Sequence, residues 1–208
     1  MREIVLIVSK TQMQKGVCVG GIIESTGELI RIHDCHGANL PADAPYEIGD
    51  RWLLDIQTAW NVRQAPHTED KQTSPIQKLD SIGVKGIIEF IHSHNLGNRL
   101  INGGLDETFE RCLRLCSTKN YINREHTPSF STQFWINDAP LIHHFDWGKH
   151  YYYYNNIRLK FVGFQEIVDV IPKGSIVRLS LANWWNGDGS GEERCYLQLS
   201  GWYINTFA

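Results

Sequence analysis

The fold is decided by residues 17–33, which read VCVGGIIESTGELIRIH. Two runs rich in β-branched residues, Val17–Ile23 and Glu28–His33, flank the turn signal Ser25-Thr26-Gly27, and this pattern predicts a β-hairpin. Gly20-Gly21 lies inside the first run, where glycine indicates a bulge or the close approach of another backbone. Short strands that bend at interior glycines are typical of a small closed barrel.

The sequence before and after this hairpin predicts more strands of the same module. Ile4–Val8 is a short β-branched run, and Arg51–Gln57 follows the turn signal Gly49-Asp50. From Asn61 to Ser81 the periodicity fades, and Ala65–Asp70 is predicted to be a polar loop or an edge crossing. Residues 1–80 are therefore predicted to form one small β barrel.

The middle of the chain, residues 81–124, is predicted to be a helical insert or linker. Val84, Ile87, Ile88 and Ile91 recur at helical spacing, and a second helix is predicted from Leu105 to Cys116. Residues 125–208 are predicted to form a second β module. Its predicted strands are Tyr151–Tyr154, Ile157–Phe164, Ile167–Ile171, Ser175–Leu181 and Cys195–Tyr203.

Composition and charge limit the function classes. Hydrophobic residues make up 42% of the 208 residues and charged residues 21%, so the chain can build a core. The net charge is −3, whereas a protein that coats phosphates generically is basic, so any nucleic-acid role must use a local patch. The P-loop, GxGxxG, GxSxG and HExxH motifs are absent, which argues against common nucleotide hydrolysis, Rossmann redox chemistry and serine hydrolysis.

The cysteines and the N-terminus predict a cytoplasmic protein. The five cysteines are odd in number and form no CxxC pair, which favours reduced thiols in a reducing compartment. The apolar run Ile4–Val8 is five residues long, too short for a signal peptide or a membrane span. No membrane partner is expected.

Several basic and aromatic residues are predicted to contact nucleic acid. Lys10 and Lys15 lie in a polar loop between two strands and are candidate phosphate contacts, with a solvated hairpin loop as the alternative. Trp184 and Trp185 point to opposite faces if the chain is extended, so one is expected in the core and the other exposed. The exposed one, beside the glycine-rich loop Asn186–Gly191, would stack a base; the alternative is that both are buried.

The candidates for acid–base or nucleophilic chemistry form two groups. The first contains His33 and Cys35, and the second contains His67, Glu69 and Asp70. An exposed polar loop is the alternative for the second group. Zinc sites usually need four ligands in two separated pairs, and the sequence has no clear second pair, although His143, His144 and His150 are loose candidates. No metal and no cofactor is therefore predicted.

Three stretches resemble the bacterial dual-OB-domain family. They are the opening KTQMQKGVCVGGI with the following Leu29-Ile30-Arg31, the landmark Pro66–Asp70, and the closing IVRLSLANWW and RCYLQLSGWY. The resemblance implies two OB-like β barrels and an association with nucleic-acid modification and phage defence. The sequence departs from the family pattern at Gln12 and Asn183, where a basic residue is expected.

The fold expected is mainly β with a small helical insert, as two OB-like barrels. The first hypothesis is an accessory module that binds single-stranded or modified DNA or RNA inside a bacterial modification or antiviral defence complex, with partner proteins. Its contacts would be Lys10, Lys15, Arg31, Arg178, Trp184 and Trp185. The alternatives are a protein–protein adaptor, favoured by the acidic balance, and an enzyme on nucleic acid or nucleotide that uses His33, Cys35 or the His67, Glu69 and Asp70 group.

Overall fold

The computed structural model describes residues 1–57, 64–187, 189 and 191–204. By their contacts the residues group into two compact units: unit 1 comprises Met1–Arg63 and Glu69–Gly97, and unit 2 comprises Gln64–Thr68 and Asn98–Ala208. No helix in the described ranges is both long and apolar enough to span a membrane.

Unit 1 is a closed five-stranded barrel in the order β1-β2-β3-β5-β4. Its interior is filled by the alternate apolar residues of these strands, among them Val5, Val19, Ile32 and Leu54. The bounds are β1 Arg2–Gln12, β2 Val17–Ile23, β3 Leu29–His33, β4 Asp50–Gln57, β5 Asp70–Ser81 and the helix α1 Gly83–Ser93.

The predicted hairpin of β2 and β3 is present, and its glycines have the predicted role. The β1–β2 register shifts between Ile7 and Ser9, opposite Gly21 and Gly20. A Cβ atom on Gly21 would lie 2.4 Å from the Val5 side chain, so only glycine fits this close approach. Gly27 adopts φ +74° in the turn, the left-handed conformation that glycine permits.

Unit 2 is built on a nine-stranded sheet in the order β12-β9-β10-β11-β14-β13-β8-β6, with β7 paired to β14. Its core includes Trp135, Tyr152, Leu179 and Leu199. The bounds are β6 Leu100–Gly103, β7 Tyr121–Asn123, β8 Thr132–Asn137, β9 Leu141–Asp146, β10 Lys149–Tyr154, β11 Ile157–Phe161, β12 Val170–Ile171, β13 Ile176–Leu181 and β14 Arg194–Tyr203.

The mainly β prediction is confirmed, and a closed five-stranded barrel with a second sheet is consistent with two OB-like domains. The contact grouping differs from the predicted division at residues 80 and 124, because α1 groups with unit 1 and residues 98–124 group with unit 2. The predicted division into independently folding segments stays a prediction.

One strand was not predicted, and one local prediction is wrong. The part of 61–81 that the structure describes contains the twelve-residue strand β5, whose second half is exposed on both faces and therefore shows no apolar alternation. The predicted helix from Leu105 to Cys116 is instead two short 3-10 turns, Leu105–Glu107 and Phe109–Arg111. Residues 109–111 all have φ between +49° and +61°, which no α-helix of L-residues accommodates.

Candidate functional site

Unit 1 holds a buried polar cluster on the face of β3 that points away from the barrel interior. Ile30 and Ile32 belong to the barrel core, so the alternate residues Arg31 and His33 point to the opposite face. The parallel β3–β5 pairing sets Asp70 beside Arg31. The Arg31 Nε atom donates to Asp70 Oδ1 at 2.5 Å, and His33 Nε2 lies 3.3 Å from the same oxygen.

The cluster is a buried ion pair rather than an open site. Both side chains of the Arg31–Asp70 pair are at most 9% exposed. Burial alone would raise the pKa of Asp70, but the hydrogen bond from His33 and the charge of Arg31 outweigh it and hold that pKa well below its usual range. Arg31 is therefore engaged inside unit 1, where its charge is balanced.

The other predicted catalytic residues do not converge on one site. Glu69 is buried and accepts the Arg31 backbone N–H through its carbonyl, whereas Cys35 is exposed in the turn after β3. In unit 2, the Nε2 atom of His67 lies 3.8 Å from the Sγ atom of Cys195, and both residues are buried. The structure thus brings together one Cys–His pair that sequence reasoning did not select, away from bulk solvent.

The two predicted lysines of the β1–β2 turn have different surroundings. Lys10 Nζ donates to the Ala44 carbonyl and to Glu47 Oε1, each at 3.0 Å, and its side chain is 11% exposed. Lys15 is exposed at the tip of the turn. Of the pair, Lys15 is therefore the one whose ammonium is presented to solvent.

Arg178 and Trp184 are engaged inside unit 2. The Arg178 Nη1 atom donates to the Ser200 hydroxyl at 3.0 Å, and Arg178 is buried. Trp184 packs against the core, and the guanidinium of Arg124 lies 3.7 Å from its ring centre. One face of this indole is thus covered by Arg124, and the side chain is half-buried, so Trp184 offers less ring surface to a base than Trp185 does.

Trp185 is 49% exposed, so the prediction that one tryptophan is exposed and its neighbour faces the core is confirmed. Together with Tyr121, Arg194 and Tyr196 it forms a group that we call the Trp185 cluster. The ring centres of Trp185 and Tyr196 are 5.9 Å apart, as are those of Tyr196 and Tyr121, and the Arg194 guanidinium lies over the Tyr121 ring. The loop that follows includes Asp188 and Ser190, which lie outside the described residues.

The arginines at and around the Trp185 cluster are paired with glutamates. Ion pairs join Arg194 to Glu192 at 2.7 Å, Arg124 to Glu193 at 2.8 Å and Arg114 to Glu125 at 3.0 Å. Three positive charges are therefore matched by three negative ones. Such a surface offers aromatic area but little attraction for a phosphate backbone.

A different surface of unit 2 combines aromatic and basic side chains without this balance. Strand alternation on β10 places Tyr152 and Tyr154 in the core and directs Tyr151 and Tyr153 outward. Cross-strand pairing sets Tyr151 beside both His144 and Lys160, and Tyr153 beside Arg158. We call this surface the β9–β11 face; its residues are His144, Lys149, Tyr151, Tyr153, Arg158 and Lys160.

The β9–β11 face has a positive excess. Arg158 lies over the Tyr151 ring at 4.5 Å, and its ion-pair contact, Asp146 Oδ2, is distant at 4.0 Å. Among the described residues, Lys149 and Lys160 form no ion pair. Desolvation of the Lys160 ammonium, followed by repulsion from Lys149, lowers the pKa of Lys160. Within the described part of the chain, these three cations thus have one ion-pair contact, that of Arg158 with Asp146.

A groove lies on the same face. It has a volume of about 500 Å³ and is lined by Pro140, Ile142, His144, Tyr153 and Asn155. The rings of His144 and Tyr153 meet edge-on with centres 4.7 Å apart. This volume is within the range of small-molecule sites, about 300–1,000 Å³, and suits a planar aromatic ligand.

Sequence reasoning missed every residue of the β9–β11 face as a contact. The available signal was the run YYYY at 151–154 followed by IRLKF at 157–161, in which tyrosines and basic residues alternate with core residues. Within the part of the chain that the structure describes, no group of three or more His, Cys, Asp and Glu side chains is arranged to hold a metal ion.

Comparison with known proteins gives one family. The model described as "Dual OB-containing domain" matches residues 3–202. A solved structure described as "Structural mimicry for functional antagonism" aligns with 97% of this chain and 92% of its own, at 10% sequence identity and a TM-score of 0.33. No curated protein matches the chain.

Proposed function

The chain belongs to the dual OB-containing domain family, and from this membership we propose that it is a module that binds single-stranded nucleic acid. The observation that carries the proposal is the β9–β11 face, where three cations, of which Arg158 alone has an ion-pair contact among the described residues, flank the exposed His144 ring and the half-buried Tyr153 ring. Basic side chains that follow a strand together with aromatic stacking surfaces are the common means of single-strand binding. OB folds also bind other ligands, so the site carries the argument more than the fold does.

Each part of the face has a role in this proposal. Lys149, Arg158 and Lys160 contact phosphates, while His144 and Tyr153 stack a base in the groove that they line. Lys15 and Trp185, which are exposed, remain proposed additional contacts. Arg31, Lys10, Arg178 and Trp184 are proposed to act only indirectly, through the structures that they hold.

We also propose a cellular context from the resemblance described above. The module would work in the bacterial cytoplasm, as an accessory part of a nucleic-acid modification or antiviral defence complex. Partner proteins would supply any chemistry. An adaptor role has its own support in unit 1, where Ile76, Leu79 and Val84 are 40–45% exposed.

The test measures the binding of oligonucleotides by fluorescence anisotropy at a series of salt concentrations, with single-stranded and duplex DNA and RNA. We expect single-strand binding with a shallow salt dependence, because two or three phosphate contacts at about 0.7 each give a log–log slope near −2. Lys160→Ala should reduce the slope by about 0.7.

The matched control is Lys85→Ala, which removes the same charge from helix α1 of unit 1, where Lys85 stands 3.8 Å from Glu89. This variant should bind as the parent protein does. Absence of binding to every oligonucleotide at low salt would overturn the proposal in favour of the adaptor.

A further inference from the structure

The β9–β10 hairpin of unit 2 ends in an unusual turn. Residues 146–149 read DWGK, and Trp147 and Gly148 both adopt positive φ, +52° and +70°. Two-residue turns with both central residues at positive φ favour asparagine or glycine at the first of them. A bulky residue there is a backbone outlier, so the indole is held where the local conformation disfavours it.

The aromatic side chains at this tip face solvent. Trp147 is 86% exposed, the largest value for a hydrophobic side chain among the described residues, and Phe145 is 64% exposed. Neither is required to fill the core of unit 2. Exposure of two large rings at the end of one hairpin indicates an interaction site.

A row of rings connects the tip to the core. The ring centres of Tyr152 and His143 are 5.3 Å apart, those of His143 and His150 are 5.2 Å apart, and those of His150 and Phe145 are 4.9 Å apart. The two imidazoles are also joined by a 2.9 Å contact from His143 Nε2 to His150 Nδ1. Tyr152 is fully buried, so the row fixes the exposed end of the hairpin to a rigid base.

We propose that Phe145 and Trp147 form a second stacking platform, on which an unpaired base of the bound single strand lies. Charge selects nucleic acid over an apolar protein partner, because Lys149 follows the turn directly and, like Lys160, has no ion pair within the described residues. Cross-strand pairing places Phe145 on the opposite face of the hairpin from Lys149 and Lys160, so a strand whose phosphates follow these two lysines would reach Phe145 by passing over Trp147 at the tip. The inference rests on the proposed function and extends it from the β9–β11 face to the hairpin end.

The decisive variant is Trp147→Asn, which creates the Asn-Gly pair that this turn conformation prefers. The thermal midpoint should stay the same or rise, while the affinity for a single-stranded oligonucleotide should fall about tenfold with an unchanged salt slope. A 2-aminopurine base in the oligonucleotide should be quenched by the parent protein and much less by the variant. Phe164→Leu, which alters another exposed ring of unit 2 that has no proposed contact, is the matched control and should preserve the quenching.

The outcomes separate this inference from the proposed function. If the parent protein binds no oligonucleotide, the proposed function fails. If it binds and Lys160→Ala lowers the salt slope, but Trp147→Asn binds and quenches as the parent does, only the stacking platform is overturned and the tip is left to a protein partner. If Trp147→Asn lowers both the thermal midpoint and the affinity, Phe145→Leu decides: unchanged binding and quenching would overturn the platform, and a lower affinity at an unchanged thermal midpoint would support it.

Discussion

Strands β3 and β11 have similar sequences, but their basic side chains differ in exposure and in charge balance. β3 reads LIRIH and β11 reads IRLKF, each alternating basic with apolar residues. In unit 1 the basic residue Arg31 is 8% exposed and bonded to Asp70. In unit 2 Lys160 is exposed, and no ion pair involves it among the described residues. The difference shows that a cation within an apolar strand identifies a binding surface only where its face is open and its charge unbalanced.

The same comparison explains why the two regions should respond differently to mutation. A buried ion pair that loses one partner leaves an uncompensated charge, whereas an exposed cation is solvated by water. Changes at the Arg31 cluster should therefore act on folding. Changes at the β9–β11 face should act on binding.

The largest effect is expected from Asp70→Ala, which leaves Arg31 buried without its carboxylate. The free energy of unfolding should fall by about 3–5 kcal/mol, measured by urea denaturation, with faster hydrogen exchange at the amides of β3 and β5. Glu193→Ala, which breaks the exposed pair with Arg124, is the comparison and should cost about 0–1 kcal/mol. Equal losses in the two variants would show that burial does not distinguish these pairs.

The next effect separates the two arginines by salt dependence. Arg158→Ala should lower the log–log salt slope of oligonucleotide binding by about 0.7 and leave the free energy of unfolding nearly unchanged. Arg31→Ala should destabilise unit 1, and at temperatures where the variant is folded its salt slope should equal that of the parent. If Arg31→Ala changes the salt slope of binding, the distinction drawn between β3 and β11 is wrong.

A smaller effect is expected from pH. Burial, then the charge of His150, lowers the pKa of His143, with Asp169 opposing and His144 adding to the shift. A lowered pKa favours neutral His143 in the fold, so its stabilisation is present above the unfolded value of about 6.5 and is lost as pH falls below it.

Thermal midpoints should therefore decline below about pH 6.5, and His143→Phe, which keeps a ring but removes the titration, should reduce that decline. An unchanged decline in His143→Phe would assign the pH dependence to other groups. The variant also tests whether the row of rings tolerates an apolar member.

The smallest effect concerns Trp185. Because the arginines beside it are paired with glutamates, Trp185→Ala should weaken oligonucleotide binding at every salt concentration by a few-fold at most, below the effect of Trp147→Asn. Anisotropy titrations at two salt concentrations measure both variants. A larger loss for Trp185→Ala would move the main stacking site to the Trp185 cluster.

Local signals predicted much of the barrel and little of the site. The β2–β3 hairpin follows from β-branched runs around a glycine turn, and α1 follows from the spacing of Ile87, Ile88 and Ile91, all of which are buried. Strand β5 escaped prediction because its pairing with β4 is formed by the backbone while its second half has no covered face. The apolar spacing after Leu105 comes from burial of Leu105 and Phe109 in short turns, not from a helix.

The sequence by itself determined the mainly β class, the glycine that lets β1 and β2 approach, and the opposite exposures of Trp184 and Trp185. These depend on contacts between near neighbours and on a side-chain period of two. Only the tertiary structure decided which cationic side chains are exposed and which are held in ion pairs. Arg31 and Asp70 are 39 residues apart, and Lys10 is 37 residues from Glu47, so their pairing appears in no local pattern. Charge balance and burial are set by partners distant in sequence, and they leave Lys149, Arg158 and Lys160 with a positive excess.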